Sequence, residues 1–174
     1  MKFISQVEKA YIPKEFLNSD AFRYINMLET TSMQSLYKIA IFKTFLSNNT
    51  MNKEITREQI EQSFYDFYRN KRHWPDLDRY KTRNDFRNWK PKDYWELAQE
   101  NPVYYLCKTH NEIFEYDKDN FKMKIKIDID KWLNNDFFIN QIKDIIEFRR
   151  IEFLDKRLNQ KSYEYSNKQV EYKI

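Results

Sequence analysis

The spacing of apolar residues along the chain predicts a series of helices. From Ser35 to Leu46, apolar residues occupy almost every side of the predicted helix, a pattern typical of a helix buried in a core. In the next helix they recur on one side only, which is the stripe of an amphipathic helix. Its apolar positions are Ile60, Phe64, Phe67 and Tyr68. Thr56 and Gln59 form a capping box at its start. These two helices are predicted to be the centre of the fold.

Shorter helices are predicted on both sides of this pair. Residues 1–32 are interpreted as an N-terminal helical lead, in which Ser19 caps a helix with Phe22 and Ile25 on its apolar face. After a polar interval at residues 73–78, short helices are expected to begin at Thr82, at Pro91 and at Asn101–Pro102. The last of these starts a brief helix or strand that ends at Cys107.

The strongest strand signal lies in the second half of the chain. From Phe121 to Ile129 apolar and charged residues alternate, which is typical of a half-buried strand. A second short strand is expected over residues 111–116, and residues 117–120 form a glycine-free turn between the two. A β-hairpin is therefore predicted at about residues 112–129.

A long helix is predicted after the hairpin. Asn135 and Asp136 can cap it, and apolar positions continue to about Leu158. Residues 159–174 are polar and carry tyrosines, and this tail is expected to be disordered. The predicted fold class is mainly α with one β-hairpin: a winged helix-turn-helix-like helical domain over residues 33–158, which includes the long C-terminal helix. Many small helical domains carry an incidental hairpin, so element order alone leaves the winged-helix assignment open.

Composition excludes several classes of enzyme. The chain has 174 residues, 16 asparagines and no glycine. The phosphate loop of nucleotide hydrolases, the dinucleotide-binding turn and the nucleophile elbow of α/β-hydrolases each need glycine, so none of them is present. Asparagine tolerates the left-handed backbone better than most residues and is expected to make the turns. Aromatic residues form 18% of the chain, which is enough for a substantial core.

The remaining bulk properties bear on location and partners. A single cysteine, Cys107, excludes internal disulfides and fits a reducing compartment. The first residues lack the apolar region of a secretion signal, and no stretch approaches 18 apolar residues, so a cytoplasmic protein without membrane contact is expected. The net charge of +4 permits a polyanionic partner without requiring one.

Residues 69–92 concentrate positive charge. The segment holds nine Lys and Arg residues against three Asp, with four large aromatic residues between them. Cations neutralise phosphates and aromatic faces stack on unpaired bases, so the composition suits nucleic acid, single-stranded or distorted. The alternative is that the aromatic residues belong to the core and the cations to a solvated face. The predicted contacts in this segment are Arg69, Lys71, Arg72, Arg83, Arg87, Trp89 and Lys90.

The predicted hairpin adds a second group of cations. Lys122, Lys124 and Lys126 alternate with apolar residues and therefore share one face of the strand. As the wing of a winged helix, the three ammonium groups could lie along a phosphate backbone. Alternatively, they protect an edge strand from pairing with other chains.

Catalytic and metal sites have little support in the sequence. Cys107 and His110 are one turn apart, but His73 is the only further soft ligand, and a structural zinc site needs four. A Cys107–His110 nucleophilic pair has no visible orienting partner. Carboxylates that could serve a metal nuclease are scattered over predicted loops, turns and the tail: Asp76, Asp117, Asp119, Asp128, Asp130 and Glu171. We therefore predict no enzyme, no metal and no cofactor, while leaving a metal-dependent nuclease open.

Two segments resemble a known module. A Ser-x-Tyr-Lys start to an apolar helix (Ser35, Tyr37, Lys38) and a helix ending Phe-x-x-Phe-Tyr (Phe64, Phe67, Tyr68) are similar to an accessory, winged-helix-like module near the C-terminus of bacterial superfamily-2 helicase-like proteins of restriction and phage-defence systems. The resemblance covers residues 33–70 well and 82–155 loosely. It contains no catalytic motif, and the helicase and nuclease parts of those proteins have no counterpart here.

Two functions follow as expectations. The first is a non-enzymatic nucleic-acid-binding accessory module linked to prokaryotic defence or mobile elements, which binds DNA rather than RNA through residues 69–92 and the hairpin lysines. The alternative is a phage-encoded inhibitor, of the anti-CRISPR or anti-restriction type, that binds a larger nucleic-acid-processing defence protein. Trp and Tyr often anchor protein interfaces. The expected anchors for such a partner are Trp74, Trp89, Tyr163 and Tyr165.

Overall fold

A computed structural model describes residues 12–47, 49–78 and 85–171, with side chains as far as Arg157. Its first helices are α1 (Lys14–Leu17), α2 (Asp20–Thr30) and α3 (Tyr37–Thr44). A small hairpin of β1 (Leu46–Ser47) and β2 (Thr50–Met51) follows. Strand β3 (Glu54–Thr56) then leads directly into α4 (Arg57–Arg69).

The second half begins with short helical turns. A 3₁₀ turn at Lys71–His73 continues into α5 (Trp74–Asp78), and further 3₁₀ turns lie at Phe86–Asn88 and Pro91–Tyr94. Helices α6 (Trp95–Ala98) and α7 (Tyr104–Thr109) are joined by a π-helical turn at Gln99–Val103. Strands β4 (Phe114–Asp117) and β5 (Lys122–Ile125), a 3₁₀ turn at Asp130–Trp132 and the long helix α8 (Asp136–Glu171) complete the described chain.

The predicted fold class is confirmed: the chain is mainly helical, with a small antiparallel sheet and a long C-terminal helix. The larger sheet has the order β3-β5-β4, and Met123 lies between Ile55 on one side and Tyr116 on the other. One strand precedes α4 and the other two form the hairpin after α7, an arrangement that is winged-helix-like. Because β5 is the central strand, the prediction that its lysines protect a sheet edge is wrong.

The centre of the fold is built by the two helices predicted to form it. In α3 the buried residues extend around the helix, and in α4 the predicted apolar stripe faces the same core. The capping box is present: Gln59 N–H donates to Thr56 Oγ1 and Thr56 N–H donates to Gln59 Oε1, at 3.4 and 2.8 Å. Ser19 likewise caps α2 by accepting from Phe22 N–H.

Several element boundaries differ from the prediction. Residues 73–78, expected to be a polar interval, lie in the 3₁₀ turn and α5, because Asp76 and Leu77 are buried there. Pro102 was expected to start a helix, but it lies inside the π turn that joins α6 and α7. The hairpin of β4 and β5, which we call the wing hairpin, is shorter than predicted, although Ile127 and Ile129 beyond it remain buried. The cap predicted at Thr82 lies outside the described residues.

The prediction of a disordered tail is also wrong over most of its length, because α8 continues to Glu171. No proline or glycine interrupts residues 159–171. Extending an existing helix by one residue is far easier than starting one, so a polar segment can stay helical when it continues a helix that is already packed. None of the helices in the described part of the chain is both long and apolar enough to cross a membrane.

Among the described residues, two turns use the left-handed backbone without glycine. Asn49, between β1 and β2, has φ 60°, and Phe121, just before β5, has φ 51°. Asparagine at such a position matches the expectation from composition. A bulky side chain there is a genuine conformational outlier.

Candidate nucleic-acid interface

The C-terminal end of α4 presents three cations to solvent. Arg69 is the last residue of the helix, and Lys71 and Arg72 lie in the 3₁₀ turn that follows, all of them exposed. Asn70 fixes this turn, because its Oδ1 accepts a hydrogen bond of 3.1 Å from Arg72 N–H. Three cations within four residues therefore stand on a defined backbone.

Aromatic rings lie beneath two of these cations, Arg69 and Lys71. The Arg69 guanidinium is 5.6 Å from the centre of the Tyr65 ring, and Lys71 Nζ is 5.6 Å from that of Trp74. Arg87 lies over the same Trp74, at 4.8 Å, and forms an ion pair of 2.5 Å with Asp78. Cation–aromatic contacts of this kind hold a charged side chain in place while leaving it at the surface.

Trp74 is part of this layer and is only half-buried. Its Nε1–H donates to the Tyr68 carbonyl at 2.8 Å, and its ring meets the Phe86 ring edge-on at 5.8 Å. Because Lys71 and Arg87 lie over its ring, a base or a protein partner would have to displace a cation to stack there. The structure thus makes Trp74 a support for the neighbouring charges.

The structure adds Lys43 and Arg150 to this region. Lys43 Nζ is 5.7 Å from the Phe67 ring, and the His73 ring stacks on the same Phe67 at 3.9 Å. Arg150, on α8, donates to His73 Nε2 at 3.3 Å and also pairs with Glu147. Sequence reasoning missed both residues because tertiary packing brings them in from distant segments. Lys43 gave one signal, since it interrupts an otherwise apolar helix.

Five exposed cations thus lie around this end of α4, and four of them, all but Arg72, lie over an aromatic ring. We name them the basic surface: Lys43, Arg69, Lys71, Arg72 and Arg87. Of these, Arg87 is paired with Asp78, and Asp66 is an exposed acid on the same end of α4. The basic surface therefore carries a local excess of positive charge.

The hairpin lysines have partners within the fold. Lys122 Nζ and Lys124 Nζ both pair with Glu54 on β3, at 2.6 and 3.3 Å, and the hydrogen bond that Lys122 donates to Glu54 raises the pKa of Lys122. Lys126 Nζ donates to the Asn111 carbonyl at 2.8 Å. These lysines share one face, as predicted, but much of their charge is balanced locally.

The two predicted parts of the interface, the cations that follow α4 and the hairpin lysines, lie at opposite ends of α4. Arg57 starts this helix beside β5, and Arg69 ends it at the basic surface. At 1.5 Å per residue the two ends are about 18 Å apart. A ligand that used both parts would have to extend along the helix.

The environment of Trp89 is acidic. Its ring packs edge-on against Tyr94 at 5.0 Å, and Lys90 N–H donates to Asp93 Oδ2 at 2.7 Å. Trp89 lines a cavity of about 520 Å³ whose other charged residues include Asp85, Asp93, Glu96 and Lys92. Three carboxylates against one ammonium do not favour a phosphate at this point.

Three predicted contact residues lie beyond the described parts. Arg83 is outside the described residues. Tyr163 and Tyr165 belong to α8, but their side chains lie past the described range. The nucleic-acid role of Arg83 and the anchoring role of the two tyrosines therefore stay predictions.

The buried carboxylate of Asp76 has a role in the fold. Its Oδ2 accepts hydrogen bonds of 2.9 Å from Leu36 N–H, at the start of α3, and from Tyr68 Oη–H, on α4. Burial and the charge of Asp76 raise the pKa of Tyr68 well above its usual range. Asp76 thus joins three helices. Among the described residues, no group of His, Cys, Asp and Glu side chains is arranged to hold a metal ion.

Cys107 and His110 are engaged separately. Burial raises the pKa of the Cys107 thiol to about 11, which leaves little of the thiolate that a nucleophile requires. His110 Nε2 contacts Thr31 Oγ1 at 3.0 Å, and its Nδ1 lies 3.8 Å from Glu112. The geometry does not favour a cysteine nucleophile.

Compared with known proteins, the chain matches no family model, no curated protein and no solved structure. The resemblance of residues 33–70 to a helicase-associated module therefore stays a prediction. The structure defines a winged-helix-like helical module with a basic surface at one end of α4.

Proposed function

We propose that this chain is a non-enzymatic nucleic-acid-binding module, and that the basic surface contacts phosphates. The observation that carries the proposal is the group of exposed cations at Arg69, Lys71 and Arg72, of which the first two lie over aromatic rings. The resemblance to restriction and phage-defence proteins supports a role in prokaryotic defence or mobile elements, with DNA as the preferred ligand.

Fixed cations suit a phosphate backbone for a physical reason. Each cation that neutralises a phosphate releases a condensed counterion, so affinity falls as salt concentration rises. Arginine also binds phosphate oxygens through two parallel hydrogen bonds, and a guanidinium already held against Tyr65 loses less freedom on binding. Binding is therefore expected to depend strongly on salt and weakly on sequence.

Fluorescence anisotropy with labelled 20-nucleotide DNA, single-stranded and duplex, tests this proposal between 50 and 300 mM NaCl. Replacing Arg69, Lys71 and Arg72 together with Ala should weaken binding to both forms and lower the salt slope by up to about three. The matched control replaces three exposed lysines elsewhere, which gives the same change in net charge: Lys108, Lys131 and Lys156. Equal losses in both variants, or no binding at 50 mM NaCl, would overturn the proposal.

A protein-binding inhibitor is the second candidate, and one observation favours it. Tyr104 and Tyr105 are about half exposed on α7, and Tyr105 lines a cavity of about 440 Å³ together with Tyr37 and Lys38. Exposed tyrosines beside a concave surface are typical of interface anchors. On this alternative, the protein binds nucleic acid weakly and forms a complex with a purified defence nuclease in size-exclusion chromatography. Replacing Tyr104 and Tyr105 with Ala should abolish that complex.

A further inference from the structure

The turn at the tip of the wing hairpin holds Phe121 in an unfavourable backbone conformation. Its φ of 51° lies in the left-handed region, where the Cβ of an L-residue comes too close to the backbone. Glycine is the usual residue at this last position of a hairpin turn, and asparagine is the next most tolerant. Asn120 precedes the position, yet a phenylalanine occupies it.

Surrounding hydrogen bonds impose this conformation. Asp117 Oδ1 accepts from the N–H groups of Asp119 and Asn120, each at 3.1 Å, and Arg57 N–H donates to the Phe121 carbonyl at 3.0 Å. The turn and the first residue of α4 are therefore fixed together. Strained residues persist where their surroundings over-determine them, and such residues cluster at functional sites.

The strained position displays an aromatic ring at the surface. Phe121 is 43% exposed, and its ring meets the buried Trp95 edge-on at 6.2 Å. The Arg57 guanidinium lies 5.1 Å from the Trp95 ring and 5.8 Å from the Phe121 ring. An ion pair of 2.6 Å between Arg57 Nε and Glu61 orients the guanidinium. Arg57 is the one cation over the Phe121 ring among the described residues, whereas two cations lie over Trp74, so Phe121 keeps an exposed surface and forms a stacking platform with Arg57.

Three carboxylates near the tip have partners within the fold. Glu54 pairs with two lysines, Glu61 with Arg57, and Asp117 with the turn. The negative charge of exposed Asp119 is offset by the positive charge of its exposed neighbour Lys118. The tip therefore adds little attraction for phosphates, and what it offers a nucleic acid is an aromatic face.

We propose that Phe121, with Arg57 beside it, stacks on an unpaired base of the nucleic acid bound by the basic surface. This inference rests on the proposed function, and it adds a preference for single-stranded nucleic acid, or for duplexes with unpaired ends, over fully paired duplex. Only an unpaired base exposes a face for stacking, and such contacts do not depend on sequence. A strand that leaves the basic surface along α4 covers about 18 Å to reach the platform.

The same 20-nucleotide DNA probes test the inference. Phe121→Asn removes the ring while suiting the left-handed backbone, and Phe121→Tyr keeps the ring. Loss of one base–aromatic contact should weaken single-strand binding about tenfold in Phe121→Asn, with duplex binding unchanged within about twofold. Phe121→Tyr should bind like the natural protein. Phe148, also exposed on α8, provides a control aromatic through Phe148→Leu.

The outcomes separate this inference from the proposed function. If the natural protein binds neither form of DNA at 50 mM NaCl, both fail. If it binds but Phe121→Asn matches it on single strands, or weakens both forms equally, the stacking role fails and the proposed function stands. Photocrosslinking of the natural protein to single-stranded DNA containing 5-iodouracil needs no variant. A crosslinked peptide containing Phe121 supports the assignment, and crosslinks confined to other peptides contradict it.

Discussion

Arg150 and His73 are joined by a hydrogen bond of 3.3 Å between Nη1 of the arginine and Nε2 of the histidine. A guanidinium only donates, so Nε2 accepts and the ring proton lies on Nδ1, which donates to the Phe67 carbonyl at 2.7 Å. Burial, together with the positive charges of Arg150 and Lys43, lowers the pKa of His73. Neutral His73 therefore links α8 to the end of α4.

This link predicts that stability falls in mild acid. Because the pKa of His73 is lower in the folded protein, the unfolded chain binds more protons below about pH 6.5, the ordinary histidine value. The contribution of His73 to the free energy of unfolding should therefore be fully present well above pH 6.5 and be lost as the pH falls through that value and the window below it. Urea unfolding followed by circular dichroism at pH 7.5, 6.5 and 5.5 measures the slope.

Glutamine variants show which histidine causes the pH dependence of stability. His73→Gln retains a donor and an acceptor but does not titrate, so it should reduce the dependence on pH. His110, whose pKa is also lowered by burial and by Lys38, contributes with the same sign, and His110→Gln is the matched comparison. An unchanged slope in His73→Gln would contradict the assignment.

Asp76 is predicted to be essential for stability. Asp76→Ala leaves Leu36 N–H and the Tyr68 hydroxyl without their acceptor inside the core, at a cost of about 1–3 kcal/mol for each group. Asp76→Asn keeps one acceptor oxygen and should lose less. Thermal or urea unfolding compares the two variants, and an Asp76→Ala protein as stable as the natural one would refute the structural role.

A comparison of α4 with α5 shows which parts of the fold can be predicted from the sequence and which cannot. The apolar spacing and capping box of α4 are local signals, and both are present in the structure. The helical course of residues 74–78 depends instead on Asp76 meeting Leu36, which is 40 positions away. A polar residue gives no sign in the sequence that it will be buried against a distant backbone N–H.

Glu54 is predicted to restrain the hairpin lysines. Glu54→Gln removes the charge that pairs with Lys122 and Lys124, and it should return the pKa of Lys122 toward its ordinary value. If these lysines approach phosphates, affinity for DNA should rise severalfold, with a salt slope steeper by about one or two. The anisotropy titration measures both. An unchanged slope would show that the wing does not meet the backbone of the nucleic acid.

Like the fold, the candidate site has one part that local sequence predicts and one part that depends on tertiary structure. Arg69, Lys71 and Arg72 fall within four positions of sequence, so composition alone indicated this group. The pairing of Lys122 and Lys124 with Glu54 depends on strand order, because β3 lies beside β5 across nearly 70 positions of sequence. Charge counts over a segment cannot include a counter-ion from another strand.

Substitutions at Asn49 test whether the turn between β1 and β2 requires a left-handed backbone. With φ at 60°, Asn49→Val should destabilise the protein by about 1–2 kcal/mol relative to Asn49→Gly. Both variants lose the hydrogen bond of 2.6 Å from Lys143 to the Asn49 side chain, so their difference isolates the backbone. Urea unfolding measures it, and equal stability would show that the turn can adopt another conformation.

The raised pKa of Cys107 has a practical consequence for labelling chemistry. At neutral pH its half-buried sulfur is almost entirely protonated, so it reacts slowly with maleimides and iodoacetamides. A cysteine introduced at exposed Lys118, on the wing turn, would be alkylated much faster than the natural thiol. A fluorophore or spin label can therefore be placed beside the stacking platform in the otherwise natural chain, where it would report directly on ligand arrival.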